Sequence, residues 1–243
     1  MRLSLFCLAL LSVASGRLVQ TGRVYADEPW ARPNRLAFSL GFNASAGDLG
    51  AFHDAVEQYR KEIGARNPQL QIGGSLKSDW VFGPELCGRY YFPYYFWAEL
   101  GFGYLYNGAS ADLEFTYQAA VLSYGNHLFE MPLLVGGYYP IDAGIYLFAG
   151  VGPTLVIYSL SRWVYSRGRV ASYSTTLGGG FHLQAGADIR LTDAVSLSPA
   201  FRFRYMKTAE LHPSDPPYPP LLPAIDLDMS GIGVTISARW FVL

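Results

Sequence analysis

The chain is short of charge. Asp, Glu, Lys and Arg make up only 15% of its 243 residues, and the formal net charge is −1, whereas ordinary globular domains carry about 25% charged residues. A nucleic-acid-binding surface needs a basic patch, so this balance argues against a nucleic-acid partner. The sequence has two cysteines, Cys7 and Cys87. Cys7 falls in the leader predicted below, so the mature chain forms no internal disulfide.

Recognisable sites for metals and cofactors are also missing. The sequence has no metal-ligand spacing and no phosphate-binding glycine loop, so we predict neither a metal nor a cofactor. Hydrolysis needs a nucleophile hydrogen-bonded to a base, and none of the four histidines stands in an obvious Ser/His/acid arrangement. The nearest approach is His182 with Ser196 or Ser198, which we interpret as packing between neighbouring strands.

One long stretch, Pro132–Leu160, has a single charge at Asp142. It is long enough for a transmembrane helix, but Pro140, Pro153 and five glycines favour strands over a helix. From Ile145 onward the odd positions are apolar, and the even positions mix glycine, hydroxyl and aromatic residues. This period of two predicts two strands joined by a turn at residues 140–143.

The same alternation recurs along the chain and predicts eight strands. They cover residues 35–46, 76–91, 96–104, 128–139, 143–160, 173–191, 195–205 and 231–242. Long connections (residues 47–74, 107–126, 160–171 and 212–224) alternate with short turns. The first contains apolar residues at helical spacing, which predicts a short amphipathic helix: Phe52, Ala55, Val56, Tyr59 and Ile63. The second has weak β character that could continue the flanking strands.

This sorting of connections is typical of a transmembrane barrel, with short turns on one rim and long loops on the other. We therefore predict an all-β fold, an eight-stranded antiparallel up-and-down transmembrane β-barrel with a short helix in the first long loop. The large apolar side chains would face lipid, because eight strands leave too little room for them inside. Tyr90, Tyr139 and Trp240 near strand ends suit the aromatic girdles at the membrane surfaces.

The N-terminus has the features of an export signal. Arg2 is followed by an apolar run from Leu3 to Val13, which is too short for a membrane anchor. Two cleavage sites fit, after Gly16 and after Ala26. With the second, the organisation is a signal peptide at residues 1–26, a short periplasmic lead-in at 27–34 and an outer-membrane barrel at 35–243.

Several short motifs resemble a known group. The segments Glu130–Leu134 (EMPLL) and Gly150–Pro153 (GVGP), together with the aromatic final strand, are similar to the OmpA/OmpX-like small outer-membrane barrel proteins over about residues 35 to 243. The chain departs from that group by ending on Leu243 instead of Phe or Tyr, and by having no peptidoglycan-binding domain after the barrel.

The resemblance implies a location and a set of partners. The location is the bacterial outer membrane, with both termini periplasmic. The partners are outer-membrane lipids, the barrel-assembly machinery during biogenesis and an extracellular ligand at the long loops. The implied role is envelope structure or adhesion and binding through surface loops. The alternatives are a small-solute pore and, less favoured, a lipid-modifying outer-membrane enzyme.

The alternation also predicts a polar cluster inside the barrel. Because buried charges must pair, we interpret it as a set of ion pairs that plugs the barrel, and a gated polar pathway is the alternative. The four acids and five bases predict a net charge of +1 inside. The cluster comprises Glu85, Glu99, Glu130, Asp188, Arg89, Arg190, Arg202, Arg204 and Arg239, with His182 and Gln184 beside them.

Overall fold

A computed structural model describes residues 35–47, 71–75, 80–115, 118–142, 144–166, 168–209 and 229–242, and four isolated helical positions at 54, 57, 61 and 65. Nearly all of these residues lie in strands. The strands are β1 (Arg35–Gly47), β2 (Gln71–Ser75), β3 (Trp80–Tyr91), β4 (Phe96–Phe115), β5 (Gln118–Asp142), β6 (Ile145–Ser166), β7 (Gly168–Arg190), β8 (Val195–Thr208) and β9 (Gly231–Val242). A 3₁₀ turn, Pro93–Tyr95, joins β3 to β4. Among the described residues, no helix is long and apolar enough to cross a membrane.

Eight of these strands form one closed antiparallel barrel. The hydrogen-bonded order is β4-β3-β1-β9-β8-β7-β6-β5, and the pairing of β4 with β5 closes the ring. Each strand therefore pairs with its neighbours in the chain, and β1 pairs with β9 to join the two ends. The predicted eight-stranded up-and-down barrel is confirmed. The ninth strand, β2, lies outside the ring and pairs with the far half of β4.

The two faces of the wall follow the predicted alternation. In β1, Phe38, Leu40 and Phe42 are 47%, 55% and 57% exposed, whereas Ala37 and Ser39 are buried. Successive side chains of a strand point to opposite sides. The large apolar residues therefore cover the outside of the barrel, and the polar residues lie in its interior. The predicted girdle residues Tyr90 and Trp240 also face outward.

Half of the barrel wall is much taller than the other half. Strands β4 to β7 have 20 to 25 residues, whereas β1, β3, β8 and β9 have 12 to 14. Pairing continues to Phe115↔Gln118 between β4 and β5, and to Ser166↔Gly168 between β6 and β7. Most of the second and third predicted long connections is therefore strand, because the two hairpins keep their ladders well beyond the main body. At about 3.3 Å per residue, the extra ten or so residues project by roughly 30 Å.

Other predictions concern parts of the chain outside the described residues. The signal peptide with its two cleavage sites, the lead-in at 27–34 and the proline-rich loop at 212–224 lie there. So do the five apolar residues on which the predicted amphipathic helix depends. The first long connection does contain β2, which the sequence analysis did not identify.

Candidate functional site

Ten of the eleven residues predicted for the interior are buried inside the barrel. Each of the ten is 5% exposed or less, and they come from six different strands: Glu85, Arg89, Glu99, Glu130, His182, Gln184, Asp188, Arg202, Arg204 and Arg239. In each strand these residues alternate with exposed apolar residues, and successive side chains of a strand point to opposite faces. Their side chains therefore point into the barrel.

Arg190 is the exception, and its predicted place in the cluster is wrong. It lies at the last position of β7, where its side chain is 26% exposed and forms an ion pair with Asp193 of the adjoining turn. The alternation puts Arg190 on the inward face, but the strand ends at this residue. Its side chain lies at the rim of the barrel, where it pairs with the Asp193 carboxylate. Four carboxylates and four arginines of the predicted cluster therefore lie in the interior, and the charge of these predicted residues is corrected from +1 to zero. Arg35 of β1, which is 9% exposed, is a further buried arginine that the prediction did not include.

One group of ion pairs lies toward the short-turn end. Arg239 Nη1 donates to both oxygens of Asp188 at 2.5 and 2.6 Å, and Arg89 Nε donates to Glu99 Oε2 at 2.7 Å. The two pairs are cross-linked, since Arg239 Nη2 lies 3.5 Å from Glu99 Oε2. Tyr91 and Ser198 donate further hydroxyl hydrogen bonds to Asp188. Every charge in this group thus has an opposite charge beside it.

A second group lies closer to the long-loop end. Arg202 forms a bidentate pair with Glu85, in which Nη2 donates to Oε1 at 2.6 Å and Nη1 donates to Oε2. Arg204 donates from Nη2 to Glu130 Oε1 at 3.2 Å and from Nη1 to Ser45 Oγ at 2.7 Å. Bidentate arginine–carboxylate pairs are among the strongest polar contacts in proteins.

Gln184 connects the two groups. Its Nε2 donates to Glu99 Oε1 at 3.2 Å and its Oε1 accepts from Arg202 Nη2 at 3.3 Å. His182, which is fully buried, lies beside the second group with Nε2 3.6 Å from Glu130 Oε2. The charged residues of the interior, with Gln184 and His182, therefore form a single polar layer across the barrel.

An aromatic layer closes the short-turn side of these charges. Its members pack on one another, with ring centroids 5.5 to 6.4 Å apart: Tyr91, Trp97, Tyr138, Tyr146, Phe148 and Phe241. The Arg89 guanidinium lies over the Trp97 ring at 3.9 Å from its centroid, a cation–π contact. Gly150 leaves the space for this ring, since a Cβ there would overlap it.

A second layer closes the long-loop side. It contains large apolar side chains that are only 1% exposed: Leu105, Leu128, Val156 and Met206. At the same end, Tyr158 donates to Asn126 Oδ1 and Asn126 Nδ2 donates to Asn107 Oδ1 at 3.3 Å. The charged layer is therefore covered on both sides. Ser45, Cys87 and Ser198 also contact the charged side chains, and the sequence analysis did not identify them as partners. Their positions in the alternation of β1, β3 and β8 were the available signal.

The structure does not bring His182 together with either Ser196 or Ser198. His182 lies opposite Arg204, whereas Ser196 lies opposite Arg190, eight residues along β7, which is about 26 Å away. Ser198 donates to Asp188, six residues from His182, or about 20 Å. Within the described part of the chain, no group of three or more His, Cys, Asp or Glu residues could hold a metal ion.

No protein-family model matches the sequence, and no curated protein matches it significantly. The structure is similar to outer membrane protein OprG from Pseudomonas aeruginosa, with a TM-score of 0.54 and 12% identity over 89% of this chain and 99% of that chain. Weaker similarities include Ail of Yersinia pestis (TM-score 0.43, 11% identity, 86% and 99% covered) and Neisserial surface protein A (TM-score 0.43, 14% identity, 85% and 96% covered). The resemblance in the sequence is thus confirmed as a shared fold, that of the small outer-membrane β-barrels.

Proposed function

We propose that the protein is an integral bacterial outer-membrane barrel with a sealed interior, and that it acts through its long-loop end in envelope structure or in adhesion and binding. The observation that carries this proposal is the buried layer of four arginines and four carboxylates with an apolar layer on each side. A barrel filled in this way offers its surface, and not its interior, to a partner.

The outer surface supports residence in a membrane. Exposed Leu, Phe, Val and Ile side chains surround the barrel on every one of its eight strands, whereas a soluble protein rarely exposes an apolar patch above a few hundred Å². In β3 the apolar band runs from Trp80 to Tyr90, and in β4 from Phe96 to Tyr106. Tilted transmembrane strands need about 9–11 residues to cross the bilayer, so the band has the right height.

The polar layer supports a sealed interior. Eight strands enclose just enough space for packed side chains, and here the space contains Arg–carboxylate pairs with side chains 1–5% exposed. A solute could pass only if several of these pairs separated together. Separating a buried pair leaves uncompensated charge and costs several kcal/mol, so thermal opening would be rare.

The uneven wall supports a role for the long-loop end. Strands β4 to β7 extend beyond the rim formed by β8, β9, β1 and β3, and β2 adds a strand to the edge of β4. Both ends of the described barrel, Arg35 and Val242, lie with the short turns. In an outer-membrane barrel that side is periplasmic, so the projecting sheet stands outside the cell, where an extracellular partner can reach it.

Planar-bilayer recording tests the sealed interior. The purified protein should insert and show no steady conductance, and a reproducible open channel in the wild type would refute the proposal in favour of the small-solute pore. Glu85→Leu, which leaves the Arg202 guanidinium without its bidentate partner, is the useful comparison. It should show transient openings that the wild type lacks.

Loop deletion tests the binding role. Bacteria that produce the full chain, or a chain lacking residues 211–222, should be compared for retention on cultured epithelial cells and for sensitivity to detergent. An adhesive role predicts lost retention with unchanged detergent resistance. An architectural role predicts the reverse, and no change in either property would argue against a function for this loop.

A further inference from the structure

A small cavity lies in the polar layer between the two groups of ion pairs. Its charged lining residues are Arg89, Arg202, Arg239, Glu85 and Glu99. Serine and threonine residues, together with Cys87, Phe148, Gln184 and Ala200, form the rest of the wall. The cavity has room for about one water-sized molecule. All five charged residues are at least nine-tenths buried, being 1% to 5% exposed, so the cavity lies in the interior of the barrel.

The lining has spare hydrogen-bond donors. Among the described residues, Arg89 Nη1, Arg202 Nε and Arg239 Nε are buried and have no hydrogen-bond acceptor. Guanidinium groups can only donate, and a buried donor without an acceptor costs about 1–3 kcal/mol. These three nitrogen atoms belong to the three arginines that line the cavity.

The carboxylates of the lining are already occupied. Glu85 Oε1 accepts from Cys87 Sγ and Arg202 Nη2, and its Oε2 accepts from Arg202 Nη1. Glu99 Oε1 accepts from Gln184, and its Oε2 accepts from Arg89 Nε. The cavity thus has donors to spare while its carboxylate oxygens are all in use, so a complementary occupant must accept hydrogen bonds.

We propose that this cavity binds one small hydrogen-bond acceptor, either a water molecule or a monatomic anion. Three guanidinium groups and two carboxylates in the lining favour negative charge on the occupant, and the size of the cavity excludes polyatomic anions. Because Arg202 belongs to one group of ion pairs and Arg89 and Arg239 belong to the other, the occupant forms a second link between the two groups, beside Gln184.

A crystal structure of the wild-type protein, grown in sodium bromide and solved at a resolution that shows ordered water, tests the proposal directly. We expect one density peak within hydrogen-bond distance of at least two of the three nitrogen atoms, which is up to about 3.2 Å for a water oxygen and somewhat longer for the larger bromide ion. A bromine anomalous signal at the peak identifies an anion site, and a peak without that signal identifies a water site. Empty density at this position overturns the proposal.

A cavity-filling variant gives a second, independent readout. Ala200 lines the cavity, and Ala200→Val should reduce the space for an occupant. If the occupant is present, the urea midpoint of unfolding should fall, because the three donors lose their acceptor. If the cavity is dry, filling it should leave the midpoint unchanged or raise it, which would contradict the proposal. Ala98→Val makes the same chemical change on the outward face and serves as the control.

Discussion

Removing one partner of the Glu85–Arg202 pair should destabilise the barrel strongly. In Glu85→Leu, Arg202 keeps a hydrogen bond to Gln184 at 3.3 Å, and its nearest remaining carboxylate oxygen belongs to Glu130 at 3.8 Å. That distance is too long for a hydrogen bond. Breaking a buried pair by removing one member typically costs about 3–5 kcal/mol, and the 2% and 5% exposure of these side chains places the pair in that class. We therefore expect a loss of about 3–5 kcal/mol.

Reversible urea unfolding from lipid vesicles measures this loss, with the folded fraction read from heat-modifiable gel mobility. Adding Arg202→Met to Glu85→Leu should restore most of the stability, because replacing both members by apolar residues is often neutral. Asp193→Ala is the control, since it removes an exposed ion pair with Arg190 that is worth about 0–1 kcal/mol. If Glu85→Leu cost no more than this control, the interior would be hydrated and the sealed-barrel argument would be refuted.

Four further substitutions test other features by the same unfolding measurement. Tyr94 has φ of 64° and is 86% exposed, so Tyr94→Gly should raise stability by about 1 kcal/mol by relieving left-handed strain. Tyr95 has a similar φ of 66°, but its ring packs on Tyr138 of the buried aromatic layer, so Tyr95→Gly should raise stability less than Tyr94→Gly or should lower it. Unchanged or lower stability of Tyr94→Gly would contradict the strain argument. Gly150→Val should cost about 1–3 kcal/mol, because its side chain would overlap the Trp97 ring; an unchanged midpoint would show that the ring has room to move. Leu133→Arg should cost about 2–4 kcal/mol in vesicles, as expected for a lipid-facing position near the middle of the membrane, and no loss would show that this face meets water.

Much of the fold could be predicted from the sequence because the side-chain period of a strand is a local property. Phe38 and Leu40 alternate with Ala37 and Ser39 within a few residues of chain, and nothing distant is needed to assign their faces. The same reasoning placed ten of the eleven predicted polar residues inside. It erred at Arg190, because alternation gives the face of a residue but not the point where the strand leaves the barrel.

The heights of the strands could not be predicted in the same way. Within the membrane, the contrast between lipid and interior imposes a clear alternation. The sequences at residues 107–126 and 160–171 lack that contrast, so they were interpreted as connections. The structure shows that pairing across each hairpin continues there, since each strand already has a partner in register when it passes the rim.

The alternation along the chain was enough to predict the barrel, its apolar outer surface and the identity of most charges inside it. Which charges meet depends on contacts between strands that are far apart in the chain. Glu85 on β3 pairs with Arg202 on β8, 117 residues away, and Arg239 of β9 reaches Asp188 of β7. These pairs depend on the tilt of the strands and on the stagger between them, which are set only when the whole ring closes. The same closure places the apolar layers on the two sides of the charges.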